Sequence, residues 1–209
     1  MNKILINGCS HMAGSECATN TGNIFALNLD MDFKNISNPG GGNYSILRST
    51  IEYIEENGKP DFVLIGWTTQ ERFEFSWKGE RANYTLDKHS DDTDLEKFYR
   101  YLDLNVCDFE IGKENTILYI FLLQQYLENN EIDYMFCNMY NSIPQGYQSN
   151  IWKLINLDKY YLHHTSLIED AMSEFSTGWS DTKHATDPNI HKWMASKLIH
   201  FYRENYVRR

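Results

Sequence analysis

The chain has 209 residues, a formal net charge of −10 at pH 7 and a hydrophobic fraction of 42%. The acidic balance excludes a nucleic-acid backbone as the primary partner, because no basic stripe is present to neutralise phosphates. No apolar run reaches the roughly 18 residues that cross a bilayer, so we expect no membrane partner. The length and the apolar fraction predict a single domain over residues 1–209.

Short apolar runs alternate with helical patterns along the chain. Strands are predicted over Lys3–Asn7, Phe33–Ser37, Asp61–Gly66 and Ile132–Asn138. Helices are predicted over Gly22–Leu29, Ser45–Glu56, residues 114–129 and a final segment from Asp187 to about Tyr206. This alternation predicts an α/β fold with three layers, in which helices cover both faces of a flavodoxin-like parallel sheet. Residues 67–112 are polar and aromatic, and we predict that they form an insertion over the crevice.

The four cysteines form no Cys-x-x-Cys pair and have no zinc-like spacing. They are Cys9, Cys17, Cys107 and Cys137. Cys107 and Cys137 lie in apolar sequence, and we expect them to be small buried hydrophobic residues. Reduced thiols are the simplest interpretation. Together with an N-terminal apolar stretch that is too short for a signal peptide, they favour a cytoplasmic location.

A serine follows the first predicted strand directly, in the run Gly8-Cys9-Ser10-His11. A residue at this point lies on the tight turn at the carboxyl end of a parallel strand, where α/β sheets bind their ligands. The Ser10 hydroxyl is therefore a candidate nucleophile, provided that a base and an oxyanion site converge on it.

Two further segments supply candidates for those groups. Asp181 and His184 lie three residues apart before the last helix, a spacing at which a carboxylate can orient the imidazole of a base. The alternative is a loop hydrogen bond without a catalytic role. After the second strand, the glycines of Pro39-Gly40-Gly41-Gly42-Asn43 can aim N–H groups at developing negative charge. The alternative there is a flexible turn in which Asn43 caps the next helix.

Together these segments resemble the SGNH (GDSL-type) hydrolase family over nearly the whole chain and in the family's order. Gly8-Cys9-Ser10-His11 is similar to the first block, usually Gly-Asp-Ser, with Cys9 in place of the aspartate. Residues 35–40 are similar to the second block, and Asp181-Thr182-Lys183-His184 is similar to the last. The resemblance implies Ser10 as nucleophile, His184 as base, Asp181 as its orienting acid and Gly40 as a glycine of the oxyanion hole.

The third block departs from the family pattern. It is usually Gly-x-Asn-Asp, whereas this chain has Gly66-Trp67-Thr68-Thr69, so Thr68 occupies the position of the family's oxyanion asparagine. A threonine hydroxyl donates one hydrogen bond but is shorter than an amide. Asn43 is the alternative donor. The direction of its side chain, towards Ser10 or onto the following helix, decides between the two roles.

Other residues are open to a structural or a functional interpretation. His11 follows the candidate nucleophile and either lines the pocket or, as we expect for a loop residue, faces solvent. We expect His191 to have a packing role in the last helix. Arg72 and Glu74 follow the third strand and are interpreted as a surface ion pair. The aromatic residues of the insertion fit either a platform for a sugar or acyl chain or a small core under a long loop: Trp67, Phe73, Phe75, Trp77 and Tyr84.

The favoured function is a serine esterase of SGNH type that acts on an acyl ester, such as an acetyl group on a carbohydrate. The expected partner is a small-molecule or carbohydrate ester, and we expect neither a metal nor an organic cofactor. The predicted site consists of the catalytic residues Ser10, Asp181 and His184 and the oxyanion-hole residues Gly40, Thr68 and Asn43. One alternative is an SGNH-like protein that binds a glycan with little or no turnover. Another is a nucleotide-binding flavodoxin-like module, which the glycine runs match only weakly.

Overall fold

The computed structural model describes residues 3–85, 89–105, 109–140, 149–161, 165–181 and 183–207. Its strands are β1 (Lys3–Gly8), β2 (Asp32–Asn35), β3 (Phe62–Trp67), β4 (Phe73–Trp77), β5 (Glu80–Tyr84), β6 (Asp133–Asn138) and β7 (Tyr160–Tyr161). Its α-helices are α1 (Ser10–Ala13), α2 (Thr21–Asn28), α3 (Asn43–Asn57), α4 (Thr93–Asn105), α5 (Phe109–Asn129), α6 (Leu167–Glu174) and α7 (Pro188–Tyr202). Among these helices, none combines the length and the apolar character needed to cross a membrane.

Five of the strands form one parallel sheet in the order β2-β1-β3-β6-β7. This is the flavodoxin-like order, in which the chain reverses direction across the sheet between β1 and β3. The carboxyl ends of β1 and β3 therefore lie side by side at the point where such sheets bind ligands. The predicted α/β fold is confirmed.

Apolar side chains alternate between the two faces of the sheet, as the period of two along a strand requires. Ile4, Ile6 and Leu64 belong to a core that includes residues of α2, α6 and α7. Leu5, Val63 and Ile65 belong to a second core with residues of α3 and α5. Helices therefore cover both faces, and each central strand is buried on both sides.

The register of the two central strands places the candidate nucleophile. Gly8 on β1 pairs with Gly66 on β3. A Cβ on Gly66 would lie 2.5 Å from Met139 Cγ, so only glycine fits at this close approach. Ser10 and Thr68 each lie two residues beyond this glycine pair, which brings both to the same edge of the sheet.

The antiparallel hairpin of β4 and β5 packs with α4 in a small separate core. Tyr84, Tyr99 and Leu102 are buried there, and Phe73 and Phe75 pack against them. These contacts are those of a core under a long loop. Trp67 instead belongs to the second core of the sheet. Elsewhere, Cys137 is buried in the sheet as expected, whereas Cys107 lies outside the described residues.

Candidate active site

Ser10 is the first residue of the single-turn helix α1, directly after β1. Its side chain is almost fully buried, with an exposed fraction of 3%. The turn is closed by the N–H of Gly14, which donates to the Ser10 carbonyl at 2.8 Å. The change from strand to helix within two residues thus holds the Ser10 hydroxyl at the carboxyl end of β1.

The imidazole of His184 lies against this hydroxyl. The distance from His184 Nε2 to Ser10 Oγ is 2.7 Å, although the two residues are 174 positions apart in the sequence. A base must lie within about 2.6–3.2 Å of the proton donor that it serves. The structure thus brings together the two residues that the sequence predicted as nucleophile and base.

A short hairpin before α7 positions His184. Trp179 and Ala185 pair as an antiparallel bridge, and the N–H of Ser180 donates to the His184 carbonyl at 2.9 Å. The Ser180 hydroxyl accepts from the His184 N–H at 3.1 Å. His191 on α7 holds the far side of the hairpin, since its Nε2 lies 3.1 Å from the Ala185 carbonyl oxygen. His191 is buried and packed, as expected.

The carboxylate at the second ring nitrogen of His184 is a correction to the predicted site. Glu16 Oε1 lies 3.0 Å from His184 Nδ1. Asp181, the predicted orienting acid, is exposed and makes no hydrogen bond or ion pair with His184 within the described ranges. The physical reason is the tight turn in which the N–H of Lys183 donates to the Ser180 carbonyl at 2.9 Å, because this turn puts residue 181 at its tip.

Gly40 lies in a turn attached to the end of β1. The N–H of Asn38 donates to the Gly8 carbonyl at 3.0 Å, and the N–H of Gly41 donates to the Asn38 carbonyl at 3.0 Å. The φ angle of Gly40 is +74°, in the left-handed region that favours glycine. Within the described ranges, neither the Gly40 N–H nor the Ser10 N–H donates a hydrogen bond. Both can therefore serve an oxyanion.

The side chain of Asn43 takes neither of the two directions considered from the sequence. Its Nδ2 donates to the Thr68 carbonyl at 3.1 Å and to Thr116 Oγ1 at 3.0 Å, while its Oδ1 accepts from the Thr68 N–H at 2.9 Å. It does not cap α3, whose N-cap is Gly42. Asn43 thus clamps the backbone of Thr68. Because both hydrogens of its amide are used, the prediction that it donates to an oxyanion is corrected.

Arg72 also differs from its expected role. Its Nη1 donates a hydrogen bond to Thr68 Oγ1 at 3.1 Å. Glu74, its predicted partner, lies 3.0 Å from Arg48 Nη2 and 3.8 Å from Arg81 Nε. The expected Arg72–Glu74 surface pair is therefore replaced by a contact between Arg72 and the predicted oxyanion residue.

His11 is buried against His184, and the expectation that it faces solvent was wrong. Its exposed fraction is 5%, and its ring stacks on His184 with ring centroids 4.9 Å apart and on Tyr140 with centroids 6.1 Å apart. Burial lowers the pKa of His11 from 6.5 to about 3, with smaller contributions from the positive charges of His184, Arg72 and His191. The ring beside the base is thus neutral at neutral pH.

The buried neutral His11 predicts a loss of stability in acid. The unfolded chain binds a proton at His11 near pH 6.5 and the folded chain only near pH 3, so this residue destabilises the fold as pH falls through that window. Between pH 7 and pH 4 the wild type should lose as much as about 3 kcal/mol more free energy of unfolding than His11→Phe, which cannot ionise. Urea unfolding of both proteins at the two pH values measures this difference.

The carboxylates and His191 also make stability depend on pH, because burial lowers the pKa of His191 as well. Both proteins contain these groups, so their contributions to the change in unfolding free energy cancel in the comparison. An equal loss of stability in wild type and His11→Phe would contradict the assignment of a neutral, buried His11.

A pocket of about 220 Å³ lies between the segment after β3 and helix α5, and Arg72 connects it to Thr68, although neither Ser10 nor His184 lines it. The residues that line it include Arg72, Tyr44, Gln70 and Tyr119. Within the described ranges, no group of three or more His, Cys, Asp or Glu side chains is placed to hold a metal ion.

Comparison with known proteins identifies the fold. No protein-family model and no curated protein matches this sequence. The esterase EstA from Pseudoalteromonas sp., in a structure inhibited by monoethylphosphonate, is 12% identical over 100% of both chains, with a TM-score of 0.57. TesA is 9% identical over 97% of this chain and 99% of that chain, with a TM-score of 0.56. A protein described as a GDSL-like lipase from Parabacteroides merdae is 11% identical over 96% of this chain and 94% of that chain, with a TM-score of 0.52. The fold is thus shared with esterases and lipases of the GDSL type.

Proposed function

We propose that this protein is a serine ester hydrolase of the SGNH type. The observation that carries this proposal is the distance of 2.7 Å between Ser10 Oγ and His184 Nε2, with Glu16 on the opposite ring nitrogen. A hydroxyl that contacts an imidazole, which in turn contacts a carboxylate, is the arrangement of a catalytic triad with an activated serine. The fold shared with esterases is consistent with that chemistry.

In the proposed reaction, Ser10 Oγ attacks the carbonyl carbon of an ester while its proton moves to His184 Nε2. Glu16 accepts the hydrogen bond from Nδ1–H, which selects the tautomer with a free Nε2 and stabilises the imidazolium that forms. His184 then gives the proton to the alcohol as it leaves, and the acyl group remains on Ser10. A water molecule deprotonated by His184 releases the acid and restores Ser10.

The negative charge on the carbonyl oxygen needs donors that are in place before the reaction begins. The N–H groups of Ser10 and Gly40 are two such donors, and the Thr68 hydroxyl is the third. Asn43 contributes indirectly, because its amide clamps both the N–H and the carbonyl of Thr68. A hydroxyl therefore takes the place of the amide that the family uses at this position.

The proposed substrate is a small acyl ester, with an acetyl ester of a carbohydrate as the first class to test. The 220 Å³ pocket beside Arg72 has space for a group of that size and carries tyrosines at Tyr44 and Tyr119. Aromatic side chains offer flat apolar faces together with hydroxyl groups, which suits an acylated sugar.

A second candidate function is binding of an acylated glycan without turnover. The observation that favours it is Thr68 at the position of the family's asparagine, since the Asn43 amide is used on the Thr68 backbone and on Thr116 Oγ1. The two candidates differ in whether Ser10 reacts, and that difference can be measured directly.

The test uses the wild-type protein with 4-nitrophenyl acetate and with an activated ethyl phosphonate. We expect release of nitrophenolate above the uncatalysed rate and a single phosphonyl adduct, located by peptide mass spectrometry on Ser10. Ser15, an exposed serine on the same segment, serves as the internal control and should remain unmodified. Background hydrolysis together with an unmodified Ser10 would exclude the hydrolase and favour the glycan-binding protein.

A further inference from the structure

Arg72 contacts the predicted oxyanion residue rather than a carboxylate. We propose that Arg72 is a positioning residue that holds the Thr68 hydroxyl with its proton directed at the oxyanion formed on attack by Ser10. The proposal rests on the proposed function, since it requires Ser10 to attack a carbonyl. It adds Arg72 to the proposed oxyanion site and explains how this chain would replace the family's asparagine.

The direction of the Thr68 proton follows from the chemistry of the two groups. A guanidinium has five N–H donors and no acceptor, whereas a hydroxyl has one donor and two lone pairs. Because Arg72 Nη1 donates to Thr68 Oγ1 at 3.1 Å, the Thr68 proton cannot point at Arg72. A threonine hydroxyl without a partner rotates freely. One that accepts a hydrogen bond from an arginine must direct its own proton away from that arginine. The cationic donor also polarises the hydroxyl and makes it a stronger donor.

Thr68 is fixed at its backbone as well as at its side chain. The Asn43 amide donates to its carbonyl and accepts from its N–H, and the residue is 2% exposed. The register of β1 and β3 brings Thr68 to the edge of the sheet that carries Ser10. A short side chain that is held at both its backbone and its hydroxyl can donate to the oxyanion in place of a longer amide, because a preorganised donor needs no reorientation during the reaction.

The charge of Arg72 has no anionic partner within the described ranges. Its one ion-pairing candidate from the sequence, Glu74, is occupied by Arg48 and Arg81, and Arg72 Nε is buried without a hydrogen-bond partner. A partly buried cation without a counter-charge loses part of its hydration without the compensation of an ion pair, and a negative charge that forms nearby would supply that compensation. Its field reaches His11, the ring stacked on His184, since Arg72 contributes to the lowered pKa of His11. An oxyanion at Ser10 would provide the missing negative charge.

The main alternative is that Arg72 binds an anionic group of the substrate in the adjacent pocket. The two roles differ in what they predict for a neutral substrate. An anchor for a carboxylate or phosphate has no role with a neutral ester, whereas a residue that orients Thr68 affects kcat for every ester.

The experiment measures kcat and KM for 4-nitrophenyl acetate in the wild type, Thr68→Val, Arg72→Gln and the double variant. Valine keeps the shape of threonine but removes the hydroxyl, and we expect it to lower kcat about a hundredfold. Arg72→Gln should lower kcat about tenfold with little change in KM, and it should have no further effect once Thr68 is valine. In Thr68→Ser, which keeps the hydroxyl, Arg72→Gln should again lower kcat.

Matched variants separate a loss of positioning from a loss of fold. Arg81→Gln removes an arginine of the neighbouring hairpin whose side chain is 63% exposed, and it should retain wild-type kcat. Arg72→Lys keeps the positive charge and a group that can donate hydrogen bonds, so it should recover part of the kcat lost in Arg72→Gln. Recovery by lysine would not follow from a general loss of structure.

Three results would overturn the inference. Additive losses in the double variant would show that Arg72 acts independently of Thr68. An unchanged kcat in Arg72→Gln, with weaker binding confined to anionic esters, would assign Arg72 to the substrate. A wild-type Ser10 that reacts neither with the acetate nor with the phosphonate would remove the proposed function, and this inference with it. The first two results would leave the hydrolase intact.

Discussion

Ser10→Ala is expected to lower kcat for a small acetyl ester on the order of 10⁶-fold, down to the rate that binding and oxyanion donors alone support. The variant removes the attacking oxygen, which is the hydroxyl that lies 2.7 Å from His184 Nε2. His184→Ala should have a similar effect, because an unactivated serine hydroxyl is a weak nucleophile near neutral pH. The double variant should be no slower than either single one, since the two residues act as a unit.

Initial rates with 4-nitrophenyl acetate measure these losses. His200→Ala and Ser173→Ala are the matched controls, since both are exposed residues on neighbouring helices and should retain the wild-type rate. Equal rates in the wild type, Ser10→Ala and His184→Ala would rule out the serine-esterase mechanism.

Glu16→Gln is expected to lower kcat by roughly 10²- to 10⁴-fold, the second-largest effect after loss of Ser10 or His184. The glutamine has nearly the same shape but no charge, so it cannot stabilise the imidazolium and can select the wrong tautomer by donating to Nδ1. The side chain of Glu16 is 36% exposed, so solvent screens part of its charge and the lower end of the range applies if water enters the site.

Asp181→Asn is the matched control, because Asp181 is the acid that the family resemblance implies. It lies at the exposed tip of the hairpin and should keep the wild-type kcat. The pH profile of kcat/KM should change in Glu16→Gln and stay unchanged in Asp181→Asn. A large loss in Asp181→Asn with an active Glu16→Gln would return the orienting role to Asp181.

The central sheet was predictable because its strands are short apolar runs with turn residues on either side. The four predicted strands coincide with β1, β2, β3 and β6 to within two residues at each end. The two-residue strand β7 and the single-turn helix α1 were not predicted, since neither is long enough to show a periodicity. Helix α6 did have a local signal, the capping box of Ser166 and Glu169, which the prediction did not use.

In the candidate site, some residues could be predicted from the sequence and others only from the three-dimensional contacts. Ser10 and His184 were found because each lies in a recognisable block beside a strand or a helix. Glu16 was missed because its contact with His184 joins two loops that are distant in the sequence, and no spacing rule connects them. A carboxylate six residues after the candidate nucleophile was nevertheless visible in the run from Ser10 to Glu16. The roles of Asn43 and Arg72 required the three-dimensional contacts with Thr68.

In the part of the chain that the structure describes, the hairpin that carries His184 adds no strand to the parallel sheet, and the last strand of that sheet ends at Tyr161. During synthesis, the chain therefore completes the proposed nucleophile, its neighbouring carboxylate and the five described strands of the sheet well before it reaches the proposed base. A nascent or truncated chain that ends before Trp179 would keep Ser10 and Glu16 but remain inert towards esters. Ester cleavage would then report that the segment from Trp179 onwards has docked on the sheet.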